Sequence, residues 1–371
     1  MVDLSRQYLK IRDEIGKEFD RIFADTAFIN GPVVKEFREN LEDYLKVRHV
    51  VPCANGTDAL QIAMMALDLQ PEDEVITASF TFIATAEVIA LLRLTPVLVD
   101  VQEDTFNISP EAIEKAITPK TKAIVPVHLF GQCADMDAIM KIAEKHNLYV
   151  IEDAAQAIGA DYLFEDNQIA KAGTIGHIGC TSFFPSKNLG CYGDGGAIFT
   201  NNDDYAAMLR AIANHGSTKR YYHDHIGVNS RLDSMQAAVL KVKLKYLDHY
   251  AEARRRAADY YDQAFLGNTC LEIPERFNRS THVFHQYTLI TRNIDRDALR
   301  EYLASQNIPA MVYYPVPLHL QKAYRDERYR EGDFPVTEAL SGSVISLPMH
   351  TELTREQQDH IIHHVLEFTK K

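Results

Sequence analysis

The sequence predicts an α/β fold: a mixed, mainly parallel sheet in a large domain over residues 1–250, followed by a small α+β domain over 251–371. Two observations carry this. Between Val75 and Ala155, short β-branched runs alternate with longer amphipathic stretches at the spacing of βαβ crossovers. Such crossovers lay helices on both faces of a parallel sheet. From Cys180 to Thr200, two apolar runs, CTSFF and GAIFT, are joined by a glycine-rich loop with no helix between them. That connection requires some antiparallel pairing.

The expected strands of the large domain are EVIT (74–77), TPVLVD (95–100), KAIVPVHL (122–129) and YVIEDAA (149–155). Between them lie the helical stretches FIATAEVIALL, SPEAIEKAI and DMDAIMKIAEKHN. The second is capped by Ser109 with Pro110 at its first position. A long charged helical stretch from Asp233 to Phe265 carries the chain away, and the domain boundary falls near residue 250. The remainder reads as a strand at HQYTLIT, a helix at DRDALREYLASQN, a strand at VISLPM and a helix at TREQQDHIIHHVLEFTKK. In such sheets ligands bind beyond the carboxyl ends of the strands, so the residues just after each strand are the ones to examine.

Composition narrows the function. A net charge of −13 argues against general attraction to nucleic acid or an anionic membrane, so an anionic substrate needs a local basic pocket. Five scattered cysteines without a Cys-x-x-Cys suggest neither a disulfide framework nor a zinc ribbon. The N-terminus lacks a hydrophobic signal region and no stretch approaches the ~20 apolar residues of a membrane span, which leads to the expectation of a cytoplasmic protein. His360, His363 and His364 on the last helix, and His223 and His225 in a polar loop, read as solvated faces rather than metal ligands, and no metal is expected.

Three segments carry chemistry. In SFFPSKNLGCYGDGGAIFT (182–200), Lys187 sits in a loop between two strands. A partly desolvated lysine there can form a Schiff base with a carbonyl; equally, it can be a turn lysine paired with Asp194. At the end of YVIE, Asp153 either caps a following helix or sets a buried carboxylate against the protonated ring nitrogen of pyridoxal phosphate. Lys187 downstream favours the second reading. In CANGTDALQ, Asn55, Gly56 and Thr57 open a helix whose free amides suit a phosphate. Phe82 follows a strand, where a ring stacks on a planar cofactor or simply joins the core. No Gly-x-Gly-x-x-Gly follows a strand, since GTIGHIG at 173–179 has the wrong spacing, which argues against a nicotinamide enzyme.

With these segments in hand, the chain resembles the DegT/DnrJ/EryC1/StrS sugar aminotransferases, enzymes of the aspartate aminotransferase-like fold type I that use pyridoxal phosphate. The resemblance runs from end to end, through INGPVVKEF, CANGTDALQ, DEVITASFTFIATAEVI, VPVHLFGQCADMDAI, IEDAAQAIGA, SFFPSKNLGCYGDGGAIFTN, GVNSRLDSMQAAVL, YYPVPLHLQ and SLPMH. It implies that Lys187 holds the cofactor as a Schiff base and Asp153 pairs with its ring nitrogen. Gln156 would contact the ring and Phe82 stack on its opposite face. Gly56, Thr57, Asp58 and Ser182 would surround the phosphate.

The resemblance further implies a homodimer with shared active sites, in which Asn229 reaches the neighbour's cofactor. Arg231, Lys219, Arg220, His319, Tyr313 and Tyr314 are candidates for the sugar nucleotide. Many relatives carry histidine where this chain has Tyr313. The implied reaction moves an amino group from L-glutamate to a keto carbon of a nucleotide sugar. The motifs look closest to the branch acting on UDP-2-acetamido-3-keto-hexuronate for bacterial lipopolysaccharide, with a dTDP- or UDP-keto-6-deoxyhexose as the alternative. A dehydratase of the same family would lack Lys187, and a non-catalytic regulator would have no need to keep Lys187, Asp153, Gln156 and Ser182 together.

Overall fold

The structure is a computed structural model that describes residues 2–370. Its strands are β1 (His49–Cys53), β2 (Glu74–Ala78), β3 (Thr95–Val99), β4 (Thr121–Val125), β5 (Tyr149–Asp153), β6 (Asp161–Leu163) and β7 (Ile169–Lys171). They continue with β8 (Ile178–Ser182), β9 (Gly196–Thr200), β10 (Ser217–Lys219), β11 (Tyr222–His223), β12 (Leu271–Glu272), β13 (Tyr287–Thr291) and β14 (Val344–Leu347). The helices are α1 (Leu4–Asp25), α2 (Pro32–Leu45), α3 (Gly56–Ala66), α4 (Ala84–Leu91), α5 (Pro110–Ala116) and α6 (Met136–His146). After them come α7 (Asp203–Ala213), α8 (Ser234–Leu244), α9 (Leu247–Phe265), α10 (Arg296–Ser305), α11 (Pro335–Ser343) and α12 (Arg355–Thr369).

Seven strands form one sheet in the order β1-β9-β8-β5-β4-β2-β3. From β3 to β8 every pairing is parallel, with Ile76 opposite both Val97 and Ile124. The β8–β9 pairing is antiparallel, as the loop without a helix required, and so is the β9–β1 pairing. Apolar residues on each face of the sheet bury separate clusters, one around Ile76, Ile124 and Val150 and the other around Val75, Val125 and Ile151. The alternation along the strands is what divides them. Ser109 Oγ accepts from Ala112 N and Asp135 Oδ1 from Ala138 N, which starts α5 and α6 where their sequences signal.

The stretch from Asp233 to Phe265 is two helices rather than one. α8 packs against α1 and α2, whereas α9 packs against α12, so the chain turns at Lys245 and Tyr246 to serve two different neighbours. Residue 250 lies inside α9, whose Ala251 joins a core of the large sheet while Ala258, Tyr261 and Phe265 join the core around Leu289 and Ile345. That second core covers the antiparallel sheet β12-β13-β14. Nor does a helix follow Asp153: residues 155–159 form a turn in which Gly159 takes φ +91°.

One loop sews the two sheets together. Gly131 has φ +116°, and a Cβ there would lie 2.8 Å from His285 N and 2.9 Å from Phe284 N. Only glycine allows this approach. Val283 N then donates to Gly131 O at 2.8 Å and Gln286 N to Phe130 O at 3.2 Å, which brings the entrance of β13 against the carboxyl end of β4.

Candidate active site

A cavity of about 840 Å³ opens beyond the carboxyl ends of the parallel strands, lined among others by Asn55, Phe82, Asp153, Ser182, Lys187 and His285. Asp153 ends β5 and is 6% exposed. Its Oδ2 accepts from Thr85 Oγ1 at 2.8 Å and its Oδ1 from Ala155 N at 3.1 Å, which fixes the carboxylate plane. Glu152, one residue earlier, points to the opposite face and anchors the strand end. It is fully buried and accepts from His128 Nε2 at 2.8 Å, Gly173 N at 2.9 Å, Ile175 N at 2.6 Å and Gly176 N at 2.5 Å. His128 Nδ1 accepts from Ala134 N, so the ring hydrogen sits on Nε2, facing Glu152.

Lys187 lies in the loop between β8 and β9. Its own amide donates to Phe184 O, and Phe183 N and Cys191 N close the loop onto Gly195 O and Phe183 O. Behind the loop, the buried Lys243 Nζ donates to Gly190 O at 2.7 Å. Among the described residues, Lys187 Nζ has no hydrogen bond or ion pair, and Asp194 is exposed and unpaired with it. The turn-lysine reading therefore fails. Burial pushes the Lys187 amine down to about 8, with Asp153 as a partial counterweight. A lysine so poised is a competent amine nucleophile near neutral pH.

At the other end of the cavity, Asn55 Oδ1 caps α3 by accepting from Asp58 N at 2.8 Å. The amides of Gly56 and Thr57 stand at the helix start, where no intrahelical partner exists for them. A Cβ on Gly56 would sit 2.7 Å from Ser182 Cβ, and one on Gly196 would sit 2.4 Å from Asn55 O, so glycine keeps this cradle open. Free amides, a helix dipole and the Ser182 and Thr57 hydroxyls suit a phosphate. Gln156 Oε1 accepts from Phe130 N at 2.8 Å while its Nε2 donates to Tyr314 Oη at 3.1 Å. Phe82 lines the cavity, 55% exposed, rather than joining the core. The arrangement fits pyridoxal phosphate: amine, carboxylate, amide side chain, aromatic ring and anion cradle line one cavity.

The remaining expected residues divide. Tyr313 and Tyr314 line the cavity. Lys219 and Arg220 stand on the exposed hairpin of β10 and β11, over the rings of Tyr222 and Tyr221. Asn229 is exposed and bridges to Asn214, and Arg231 is half-buried; within one chain neither lines the cavity. His319 does not reach it: the side chain is buried, with Nε2 3.0 Å from Glu338 Oε1 and the ring edge-on to Phe334. On α12, ligand atoms of His363, His364 and Glu367 lie within 4.8 Å of one another, with His364 Nδ1 also bonded to Tyr302 Oη. Thr85, Glu152 and His285 were not anticipated. For Thr85 and His285 the signal was faint, a polar residue within an otherwise apolar helix or at a strand entrance; Glu152 gave none beyond its place beside Asp153.

Residues 9–366 match the model of the DegT/DnrJ/EryC1/StrS aminotransferase family. A pleiotropic regulatory protein of Geobacillus stearothermophilus is 46% identical, over 99% of this chain and 98% of that one. Two relatives are each 45% identical. The UDP-2-acetamido-2-deoxy-3-oxo-D-glucuronate aminotransferase of Pseudomonas aeruginosa matches over 95% of both chains, and the UDP-N-acetyl-3-dehydro-alpha-D-glucosamine 3-aminotransferase of Acidithiobacillus ferrooxidans over 96% of this chain and 94% of that one. The crystal structure of S. venezuelae DesV in complex with a ketimine intermediate superposes with a TM-score of 0.95 at 38% identity, covering 100% of this chain and 98% of that one. With Lys187, Asp153 and a phosphate cradle in one cavity, the chain belongs to the DegT/DnrJ/EryC1/StrS family and is a sugar aminotransferase whose cofactor is pyridoxal phosphate.

Proposed function

We propose that the enzyme moves the amino group of L-glutamate to C3 of UDP-2-acetamido-3-keto-hexuronate, acting in the cytoplasm as a homodimer with shared active sites and supplying a diamino uronate for lipopolysaccharide. The observation that carries the amino transfer is Lys187 in the same cavity as the doubly anchored Asp153, and the choice of sugar draws on the relatives. When bound, pyridoxal phosphate would supply the carbonyl and the electron sink that this chemistry needs.

Each residue then has a task. Lys187 Nζ would hold the cofactor and would carry the proton, taking it from the donor Cα in one half of the reaction and delivering it to sugar C3 in the other. Asp153 keeps the ring nitrogen protonated, with its own orientation set by Thr85 and Ala155 N. Gln156, held by Phe130 N and Tyr314, and Phe82, which lines the same cavity, would hold the ring. Gly56, Thr57, Asp58 and Ser182 hold the phosphate. Asn229 and Arg231, outside this chain's cavity, act on the neighbouring subunit's site, and Lys219 and Arg220 offer cations to the diphosphate.

The UDP-uronate reading draws on one of the two 45% identical relatives, while the other names a neutral UDP sugar. A turnover panel separates them. Purified enzyme with L-glutamate should give the highest kcat/KM on the UDP-3-keto-uronate. Preference for the neutral UDP-3-keto-hexosamine or a dTDP-3-keto-6-deoxyhexose would replace the substrate and leave the aminotransferase standing. The regulatory name of the 46% identical relative is addressed by the same assay, since a non-catalytic regulator turns over none of the three.

A further inference from the structure

Asp153 and Gln156, two of the groups that line the cavity, are both reached from behind by one buried pair. The side chains of His128 and Glu152 have no exposed surface, and His128 Nε2 lies 2.8 Å from Glu152 Oε2. Neither residue lines the cavity. They meet where the carboxyl ends of β4 and β5 run side by side, and alternation along β5 sends Glu152 away from the face that Asp153 serves.

The pair is tied to both cavity residues through short, separate routes. Toward Asp153, the His128 amide donates to Asp153 O at 3.0 Å, and Asp153 N donates to Pro126 O at 2.9 Å. The imidazole adds its Nε2 hydrogen bond to the residue just before Asp153. Toward Gln156, His128 Nδ1 accepts from Ala134 N at 3.1 Å and so closes the loop over residues 128–134. Inside that loop Phe130 takes φ +56°, and its amide donates to Gln156 Oε1 at 2.8 Å. Glu152 is saturated: Oε1 accepts from Ile175 N and Gly176 N, and Oε2 from Gly173 N as well as from His128. Two apolar side chains would fill this space at a lower desolvation cost. What they lack is direction, since a hydrogen bond fixes an angle as well as a distance.

We propose that His128 and Glu152 are positioning residues for the cofactor ring, and that their hydrogen bond aims Asp153 and Gln156 together. This rests on the reading of those two residues as ring contacts, and on neither the sugar nor the amino donor. Because the pair is buried within one chain, it acts whether or not a second subunit is present.

The probe is pyridoxal phosphate, titrated into the cofactor-free full chain, with Kd, the visible absorbance of the bound form and the melting temperature read together. His128→Asn keeps an acceptor near the place of Nδ1 and removes the Nε2 donor, whereas His128→Gln carries an N–H out to the place of Nε2. His128→Asn should weaken pyridoxal phosphate roughly tenfold, the lower end of what one hydrogen bond to a charged group carries. It should also move the absorbance band in the direction in which Asp153→Asn moves it, and His128→Gln should recover most of both effects. In a chain already carrying Asp153→Asn and Gln156→Ala, adding His128→Asn should change Kd by less than about twofold, because its route to the ring is gone. A His128→Asn protein that melts lower but keeps the wild-type Kd and band is the result of a purely structural pair, and it overturns the proposal. So does an equal loss in His128→Gln, or full additivity in the combined variant. If His128→Asn does not fold, Glu152→Gln takes its place with the same expectations; failure of both to fold makes the pair a stability element and likewise overturns the proposal. Failure of the ring-contact reading is seen separately, as Asp153→Asn and Gln156→Ala that leave both band and Kd unchanged.

Discussion

The end of β5 and the segment from residue 214 to 231 contrast in how much of a site one chain completes. Around Asp153 each polar group has a defined partner: Thr85 and Ala155 N on Asp153, three amides and His128 on Glu152, Phe130 N and Tyr314 on Gln156. Around Lys219, Arg220 and Asn229 the side chains are exposed, the hairpin of β10 and β11 is short, and none of the three meets this chain's cavity. Polar groups that must hold a geometry are locked by neighbours before any ligand arrives, at the cost of ordering them. Residues left in solvent acquire a geometry only through something else, and a second copy of the chain is the proposed source.

Removing the unpartnered amine that shares a cavity with the locked region should have the largest effect. Lys187→Ala is expected to lower turnover by at least about 10⁴-fold, because neither amine nor proton carrier remains, with circular dichroism unchanged. A variant that kept even a few percent of activity would move the catalytic amine elsewhere. The exposed region is tested by mixing. Lys187→Ala and Asn229→Ala chains, each inactive alone, should regain activity when subunits exchange, because one of the two sites in a mixed dimer is then intact. Exchange shown by mass spectrometry without recovered activity would mean that Asn229 does not act across subunits.

A finer cut through the locked region is Thr85→Val, which preserves shape and removes the Oγ1 hydrogen bond to Asp153. Loss of one hydrogen bond to a charged group, about 1.5–3 kcal/mol, predicts a kcat roughly tenfold to a hundredfold lower, with Thr85→Ser recovering most of it. Unchanged kcat in the valine variant would show that Ala155 N alone orients the carboxylate.

The smallest effect concerns pH. With Lys187 at about 8, the rate at which the cofactor-free protein captures pyridoxal phosphate should rise about tenfold per pH unit below 7 and level off above 8, where an ordinary lysine would keep rising toward 10.5. The same depression has a stability consequence of fixed sign. The unfolded chain binds the extra proton between pH 8 and 10.5, so burying Lys187 penalises the fold fully below pH 8 and the penalty fades as pH rises to 10.5. Lys187→Met should therefore melt higher than wild type at pH 7, with the gap closing by pH 10.5. A gap independent of pH would place the amine in solvent.

How much of this was legible beforehand follows from the range of the forces involved. Strands β2 to β5, the helices between them and the β8–β9 pair announce themselves because alternation, caps and glycines are local, and a period written in the sequence survives any packing. Lys187, Asp153 and Asn55-Gly56-Thr57 were visible for the same reason: each follows or precedes a strand, where the fold class already puts ligands. β1 was missed because HVVPC is short and broken by Pro52, and α7 was missed although Asn202 caps it and Asp203 and Asp204 fill its first turn. The break between α8 and α9 could not be read at all, because both halves keep a helical period and the turn exists only to serve different neighbours.

The layered architecture and the candidacy of Lys187 and Asp153 are consequences of short-range pattern along the chain. Only the tertiary structure decided their environment. Residues 68 positions apart meet as Thr85 and Asp153, and residues 31 apart as Arg254 and His285. It alone removed His319 from the cavity by pairing it with Glu338, and left Lys187 Nζ without a hydrogen bond or ion pair among the described residues. Burial and the distances between charges are properties of the packed chain, and they set whether a lysine is a solvated cation or a nucleophile.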